Sequence, residues 1–401
     1  MFKQIFSACI ALLTLHGAAM AQDAAPPSTN AQTDSASSTT TTPADAQPAT
    51  PPATDSQAAA TQEAVKKALA ERTCPLPAIA NTAPLEQVPG SSLVTVPMAI
   101  NGDKKRFLLD VGFKRAPEVS PALRAELGLP QVFIQGQSIS APFGSPFGGG
   151  GFTNVVVRDA RNGPSTPAED IVGAGSLEIG RAKGEHLKFL VGEKWKFEQN
   201  AFDGSLTGDF FRNYDVELDF ADKQINWLTP TKCTDAHQVV FWAHTNVAIL
   251  PVTIAPDGRY QMQATVRGHT INVELDTSSE HSIMRRDIAD LDVGLKSGPP
   301  DMIPDGDRVD GRHLPIYVHN FPELIFAGGA ILALNVPVRI QDFSLRPASV
   351  REASLETRAD LERIPDFTMG MDLLKFLHLY IVPAQGKVYV TAAHEELSPD
   401  D

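Results

Sequence analysis

Cysteine is scarce in this chain: there are three among 401 residues, and one of them, Cys9, sits in the first apolar stretch. A disulfide-dense small-domain scaffold is therefore excluded. Histidine is sparse too, ten in all, with no HExxH or comparable spacing. We expect no metal and no cofactor, and read His313, His319, His237 and His244 as scattered surface residues. Basic residues are outnumbered, 34 Lys and Arg against 48 Asp and Glu, for a formal charge of −14. That balance argues against a dedicated nucleic-acid or anionic-membrane binder. No Gly-x-Ser-x-Gly, phosphate loop or dinucleotide-binding glycine series occurs, which removes the simplest serine-hydrolase and nucleotide-binding readings.

Long hydrophobic runs are missing as well, apart from Ile5 to Leu15. That run follows Lys3 and precedes Ala19-Met20-Ala21, the pattern of a secretory signal over residues 1–21 rather than of a membrane span, which needs about 20 apolar residues. The expected product is an exported protein, periplasmic or secreted, without a transmembrane anchor. Cys74 and Cys233 remain after such a cleavage; in an oxidising compartment two thiols are expected to pair, with a two-cysteine metal site the weaker reading. From Gln22 to Thr73 there is no Phe, Trp or Tyr, and no Lys or Arg before Lys66. Such a segment cannot offset its ordering entropy by burial, so residues 22–73 read as a disordered spacer with a short helix possible over Thr61 to Arg72. An inhibitory pro-segment is the alternative.

Beyond Cys74 the periodicity turns strand-like. Ser92 to Ile100 alternates, Asn101-Gly102 signals a tight hairpin, and Arg106 to Leu109 continues as its partner. Val155 to Val157, the hairpins Val216 to Leu228 and Leu379 to Val390, and Val247 to Val266 around Pro256-Asp257-Gly258 add further strands. Helical windows are short: Ser120 to Leu127, Arg285 to Leu291 and Ala353 to Glu362.

The informative feature is an internal repeat. Gly102, Leu109-Asp110 and Gly128-Leu129 recur as Gly268, Leu275-Asp276 and Gly294-Leu295, each displaced by 166 residues. Farther on, Leu206-Thr207-Gly208 corresponds to Thr368-Met369-Gly370, and Ser176 to Gly180 resembles Leu324 to Gly328. We therefore expect a mainly β protein of two homologous β-barrel lobes, residues 75–232 and 240–393.

Two lobes that each present one Asp on a tight turn can bring two carboxylates to a pseudo-two-fold axis. Carboxylates about 3 Å apart do not both ionise readily, so such a pair shares a proton and can activate a water against a peptide carbonyl. Here the residues resemble the aspartic peptidases, the pepsin-like and retropepsin-like family with one Asp-Thr/Ser-Gly motif per lobe. The resemblance spans most of Ser91 to Val390. It implies Asp110 and Asp276 as the catalytic pair, Thr277 as the hydroxyl bracing the two turns, Gly112 as permissive backbone, and Ser279 as a hydrogen-bond donor to its carboxylate. Gly208 and Gly370 would support the turns from beneath. The departures are Val111 for a hydroxyl residue, Ser278 for a Gly and Phe113 for a small side chain.

The same resemblance makes the segment Phe143 to Phe152, with Phe147, Gly149 and Phe152, a candidate flap; a plain flexible loop is the other reading. The implied activity is an endopeptidase of one chain, monomeric, taking extended polypeptide. A catalytically inactive relative that binds peptide or another envelope component is the competing expectation.

Overall fold

In the computed structural model the residues described are 9–11, 74–111, 117–132, 142–143, 153–154, 171–192, 197, 202–211, 213–233, 236–243, 246–255, 258–307, 314–342 and 365–393. The expected spacer, the helix of 353–362, the strand of 155–157, and Gly112, Phe113, Phe147, Gly149 and Phe152 lie outside them.

Twelve strands build two closed barrels. In the first, β1 (Val94–Ile100), β2 (Asp103–Leu109), β3 (Glu118–Val119), β4 (Ile171–Ile179), β5 (Ala182–Val191) and β6 (Gly204–Leu206) close in the order β1-β2-β6-β3-β5-β4 and back to β1. In the second, β7 (Tyr260–Val266), β8 (His269–Leu275), β9 (Ile283–Arg285), β10 (Pro315–Phe326), β11 (Ile331–Gln341) and β12 (Phe367–Met369) close as β7-β8-β12-β9-β11-β10. The order is the same in both, so the repeat read from spacing is a repeat of topology.

Local sequence explains the register. Tyr260, Met262, Ala264 and Val266 alternate inward along β7, as Val96, Met98 and Ile100 do along β1. The β1–β2 hairpin turns on Asn101 and Gly102, with φ of 53° and 93°, and the β7–β8 hairpin on Arg267 and Gly268, with φ of 49° and 84°. Both centres are left-handed, the geometry that matches strand twist and that Asn-Gly favours. Asn101 adds a second function, its Oδ1 accepting from the N–H groups of Gly175 and Ser176 at 2.9 and 3.1 Å. After each Asp turn comes one short helix. Pro121–Glu126 is capped by Ser120, whose hydroxyl accepts from Leu123 N–H at 3.0 Å, and Arg286–Leu291 takes the equivalent place.

A third, six-stranded sheet joins the barrels. Ile79–Pro84, Gln224–Leu228 and Asp215–Asp219 come from the first half, and Leu377–Val382, Lys387–Ala392 and Ala248–Pro251 from the second. The seam is the antiparallel pair Val216↔Ile381, Glu217↔Tyr380, Leu218↔Leu379 and Asp219↔His378. The strand expected over Val247 to Ile254 divides at Val252: its first part joins this sheet, while Thr253–Ile254 pairs with β7.

Cys74 and Cys233 are bonded to each other, with their Cα atoms 5.6 Å apart, and clasp the two ends of the first lobe. Among the described residues no helix is long and apolar enough to cross a membrane. Cys9–Ala11, within the expected leader, pairs antiparallel with Leu332–Leu334.

One histidine differs from expectation. His319 is buried, not at the surface: its Nδ1 lies 2.6 Å from the Asp301 carbonyl and its Nε2 3.3 Å from Arg267 Nη2. A carbonyl only accepts, so Nδ1 carries the proton and Nε2 receives the guanidinium. Burial, with the Arg267 charge, holds the imidazole below its ordinary pKa and keeps it in that neutral form. The ring thus anchors the β7–β8 turn.

Candidate active site at the junction of the barrels

Asp110 follows the last residue of β2 and Asp276 the last residue of β8. In each barrel a parallel strand runs beside that end, Leu206 against Leu109 and Met369 against Leu275. The slanted bonding of parallel strands then ties each aspartate's own N–H: Asp110 donates to Leu206 O at 2.9 Å and Asp276 to Met369 O at 3.1 Å. The two aspartates are held by equivalent bonds, and the acceptors show the glycine landmarks to be one residue out of step, Gly370 following Met369 directly while Gly208 lies two past Leu206.

Between the barrels the decisive side chain is Thr277, which is 3% exposed. Its Oγ1 accepts from Val111 N–H at 3.0 Å and donates to Leu109 O at 2.9 Å. Those are the two chain neighbours of Asp110, so the residue following one aspartate is bonded to both sides of the other. This bracing hydroxyl was expected from Thr277. Val111, also buried, has no hydroxyl with which to return the bond, and the brace is one-sided.

The carboxylates sit in different surroundings. Asp110 is 7% exposed and Asp276 is half-buried. Oδ1 of Asp276 accepts two bonds from Ser278, from N–H at 2.8 Å and from Oγ at 2.7 Å. The bond expected from Ser279 is therefore made by Ser278. An Asp in a turn naturally accepts from the N–H two residues on, which brings the hydroxyl of that same residue to the carboxylate; Ser279 Oγ donates instead to His281 O at 2.8 Å.

Gly370 lies beneath this turn as anticipated. A Cβ there would stand 2.5 Å from the carbonyl carbon and oxygen of His281, and 2.9 Å from Ser279 O. Met371 N–H reaches Ser279 O at 2.8 Å, and Gly370 N–H reaches Ser282 Oγ at 3.1 Å. Gly208 opens the corresponding short turn of the first lobe, its carbonyl accepting from Phe211 N–H at 3.0 Å.

Several participants had no sequence signal. Asp372 holds Ser282 through both carboxylate oxygens, at 2.9 Å to N–H and 2.6 Å to Oγ, across 90 residues of chain. Glu280 reaches across to the first lobe, accepting from Ser92 N–H at 3.4 Å, while Lys375 Nζ lies 3.3 Å from Ser92 Oγ. His281 stands between Glu280 and Asp372, 3.8 and 3.9 Å from their oxygens. Burial, then the Arg339 charge, nonetheless push its pKa below the ordinary value.

The strands Pro142–Phe143 and Thr153–Asn154 pair antiparallel; the candidate flap residues Phe147, Gly149 and Phe152 lie outside the described residues. Among the described residues no group of three His, Cys, Asp or Glu side chains is placed to hold a metal ion.

No protein-family model matches the chain, and no curated protein matches its sequence. Among solved structures it is similar to basic 7S globulin from soybean, at 12% identity and a TM-score of 0.38, over 78% of this chain and 95% of that one. It is similar to the same degree to conglutin gamma, a basic 7S globulin from lupine seeds, over 78% and 94% of the two chains. Likeness at that level assigns neither a family nor an activity.

Proposed function

We propose that the protein is an exported aspartic endopeptidase, in which Asp110 and Asp276 activate a water between them and extended polypeptide lies along the junction of the lobes. The observation that carries this reading is the Thr277 hydroxyl, bonded to both neighbours of Asp110. One such bridge couples two aspartate turns that occupy matched places in two barrels of identical strand order. A lone Asp in a turn commonly serves only its local backbone; two at matched positions, tied to each other, suit a shared task. In that task one carboxyl takes a proton from water as the other polarises the peptide carbonyl, with no covalent intermediate.

A second reading, a peptide-binding protein without catalysis, is favoured by the one-sided brace at Val111 and by Ser278, which occupies one oxygen of Asp276 with both its donors. Digestion of a denatured protein by the purified chain, at about pH 3 to 7, separates the two. Cleavage that is lost in both Asp110→Asn and Asp276→Asn supports the endopeptidase. A folded protein that cleaves at no pH, yet retains extended peptides, identifies the binding module.

A further inference from the structure

The seam strand Asp215–Asp219 carries three acidic residues into the junction of the barrels, and they are not treated alike. Glu217 is matched: His378 Nε2 lies 2.9 Å from its Oε1, Asn226 donates to its Oε2 at 2.8 Å, and the Trp242 ring stacks on His378 at 3.8 Å. Asp219 has His378 Nδ1 at 3.7 Å. Asp215 is 1% exposed, and among the described residues no basic side chain is paired with it. Its Oδ2 accepts from Thr231 N–H at 2.7 Å and from Tyr380 Oη of the opposite lobe at 3.1 Å. Its Oδ1 is fully buried without a hydrogen-bond partner among the described residues.

We propose that this seam is an acid-tightened lock, in which Asp215 takes up a proton and the junction between the barrels becomes harder to open. Burial with one bare oxygen disfavours the ionised carboxylate against the neutral carboxyl. Among the described residues the groups around it supply no compensating charge. Tyr380 and Tyr389 on the two strands beyond the seam and Tyr260 on β7 are phenols pushed up by burial, Tyr260 to about 12, so all three stay neutral. Glu217 and Asp219, on its own strand, share His378 between them. Burial pushes the Asp215 carboxyl up to about 6, against the opposing pull of the Thr231 and Tyr380 bonds.

A group that binds its proton more tightly when folded stabilises the fold in full below its unfolded pKa, and that contribution is lost as pH rises through the folded value. The window therefore runs from about 4 to 6, and the folding equilibrium constant falls by up to about 100-fold across it from this one group. The lock does not depend on whether the aspartate pair hydrolyses anything.

Two measurements on the full chain test it. In hydrogen exchange of the native protein, corrected for intrinsic rates, the seam amides of 216–219 and 378–381 are expected to lose protection between about pH 5 and about pH 7.5, more than amides of the β1–β2 hairpin do. Equal seam protection at the two pH values overturns the proposal. In urea denaturation, Asp215→Asn keeps an acceptor for Thr231 and Tyr380 without the charge. It should exceed the wild type in midpoint near pH 7.5 and converge with it near pH 4. A variant that is folded but less stable than wild type near pH 7.5 overturns the proposal also. If the variant does not fold, the exchange measurement on the wild type decides.

Discussion

Replacing Thr277 by Val tests the bridge between the two aspartate turns with almost no change of shape. The methyl that replaces Oγ1 fills its space, so no cavity term enters, and what is lost is chemical. Val111 N–H and Leu109 O, whose residues are 4% and 0% exposed, lose their partner together. Each buried group left unmade costs about 1–3 kcal/mol, and relaxation at the turn recovers part of that, so we expect a loss of about 2–4 kcal/mol in urea denaturation of the full chain. Thr277→Ser keeps the hydroxyl and should recover all but about 1 kcal/mol. If the protein cleaves polypeptide, Thr277→Val should lower kcat far more than its stability loss implies, because a small displacement of one carboxyl against the other disables both. A Thr277→Val protein within about 0.5 kcal/mol of wild type would refute the reasoning, since the bridge would then hold nothing.

Three other outcomes are expected. Gly370→Ala places a Cβ against backbone that cannot move aside, and should cost about 3 kcal/mol by thermal or urea denaturation; Gly268→Ala, with open space around it but φ of 84°, should cost only about 1 kcal/mol. Cys74→Ser removes a cross-link over 159 residues, and should destabilise by about 2–5 kcal/mol, with reducing agent producing the same shift in the wild type and none in the variant. Ser278→Ala deletes one of the two donors on Asp276 Oδ1 while sparing the N–H, and in a peptidase assay should change kcat by about tenfold with KM little altered; an unchanged kcat would mean that the hydroxyl plays no part in placing the carboxylate.

Much of the framework was legible because it is local. Asn-Gly dictates a left-handed hairpin centre, Ser120 before Pro121 dictates a helix start, and inward alternation along β1 and β7 dictates which face is buried. The repeat was legible for a further reason: the interval from hairpin Gly to strand end to Asp is an interval along one chain, and the barrels preserve it residue for residue. Thr277 as the bracing hydroxyl came from the family resemblance. Ser278 in the place of Ser279 did not, since which of two adjacent serines meets a carboxylate depends on the turn's dihedral angles. His319 read as a surface residue because nothing beside it in sequence announces Asp301 and Arg267 as partners.

By itself, then, the sequence determined the β character, the duplicated lobes, the two aspartate turns and the cysteine pair, all of which are set by periodicity, spacing or count. Tertiary structure alone decided that Thr277 touches both neighbours of Asp110, that Asp372 holds Ser282, and that, among the described residues, Asp215 keeps one oxygen bare while Glu217 meets His378. Those contacts join residues 90 to 168 positions apart, and they exist only because closing two barrels and pairing one strand of each across a seam brings distant side chains within bonding range.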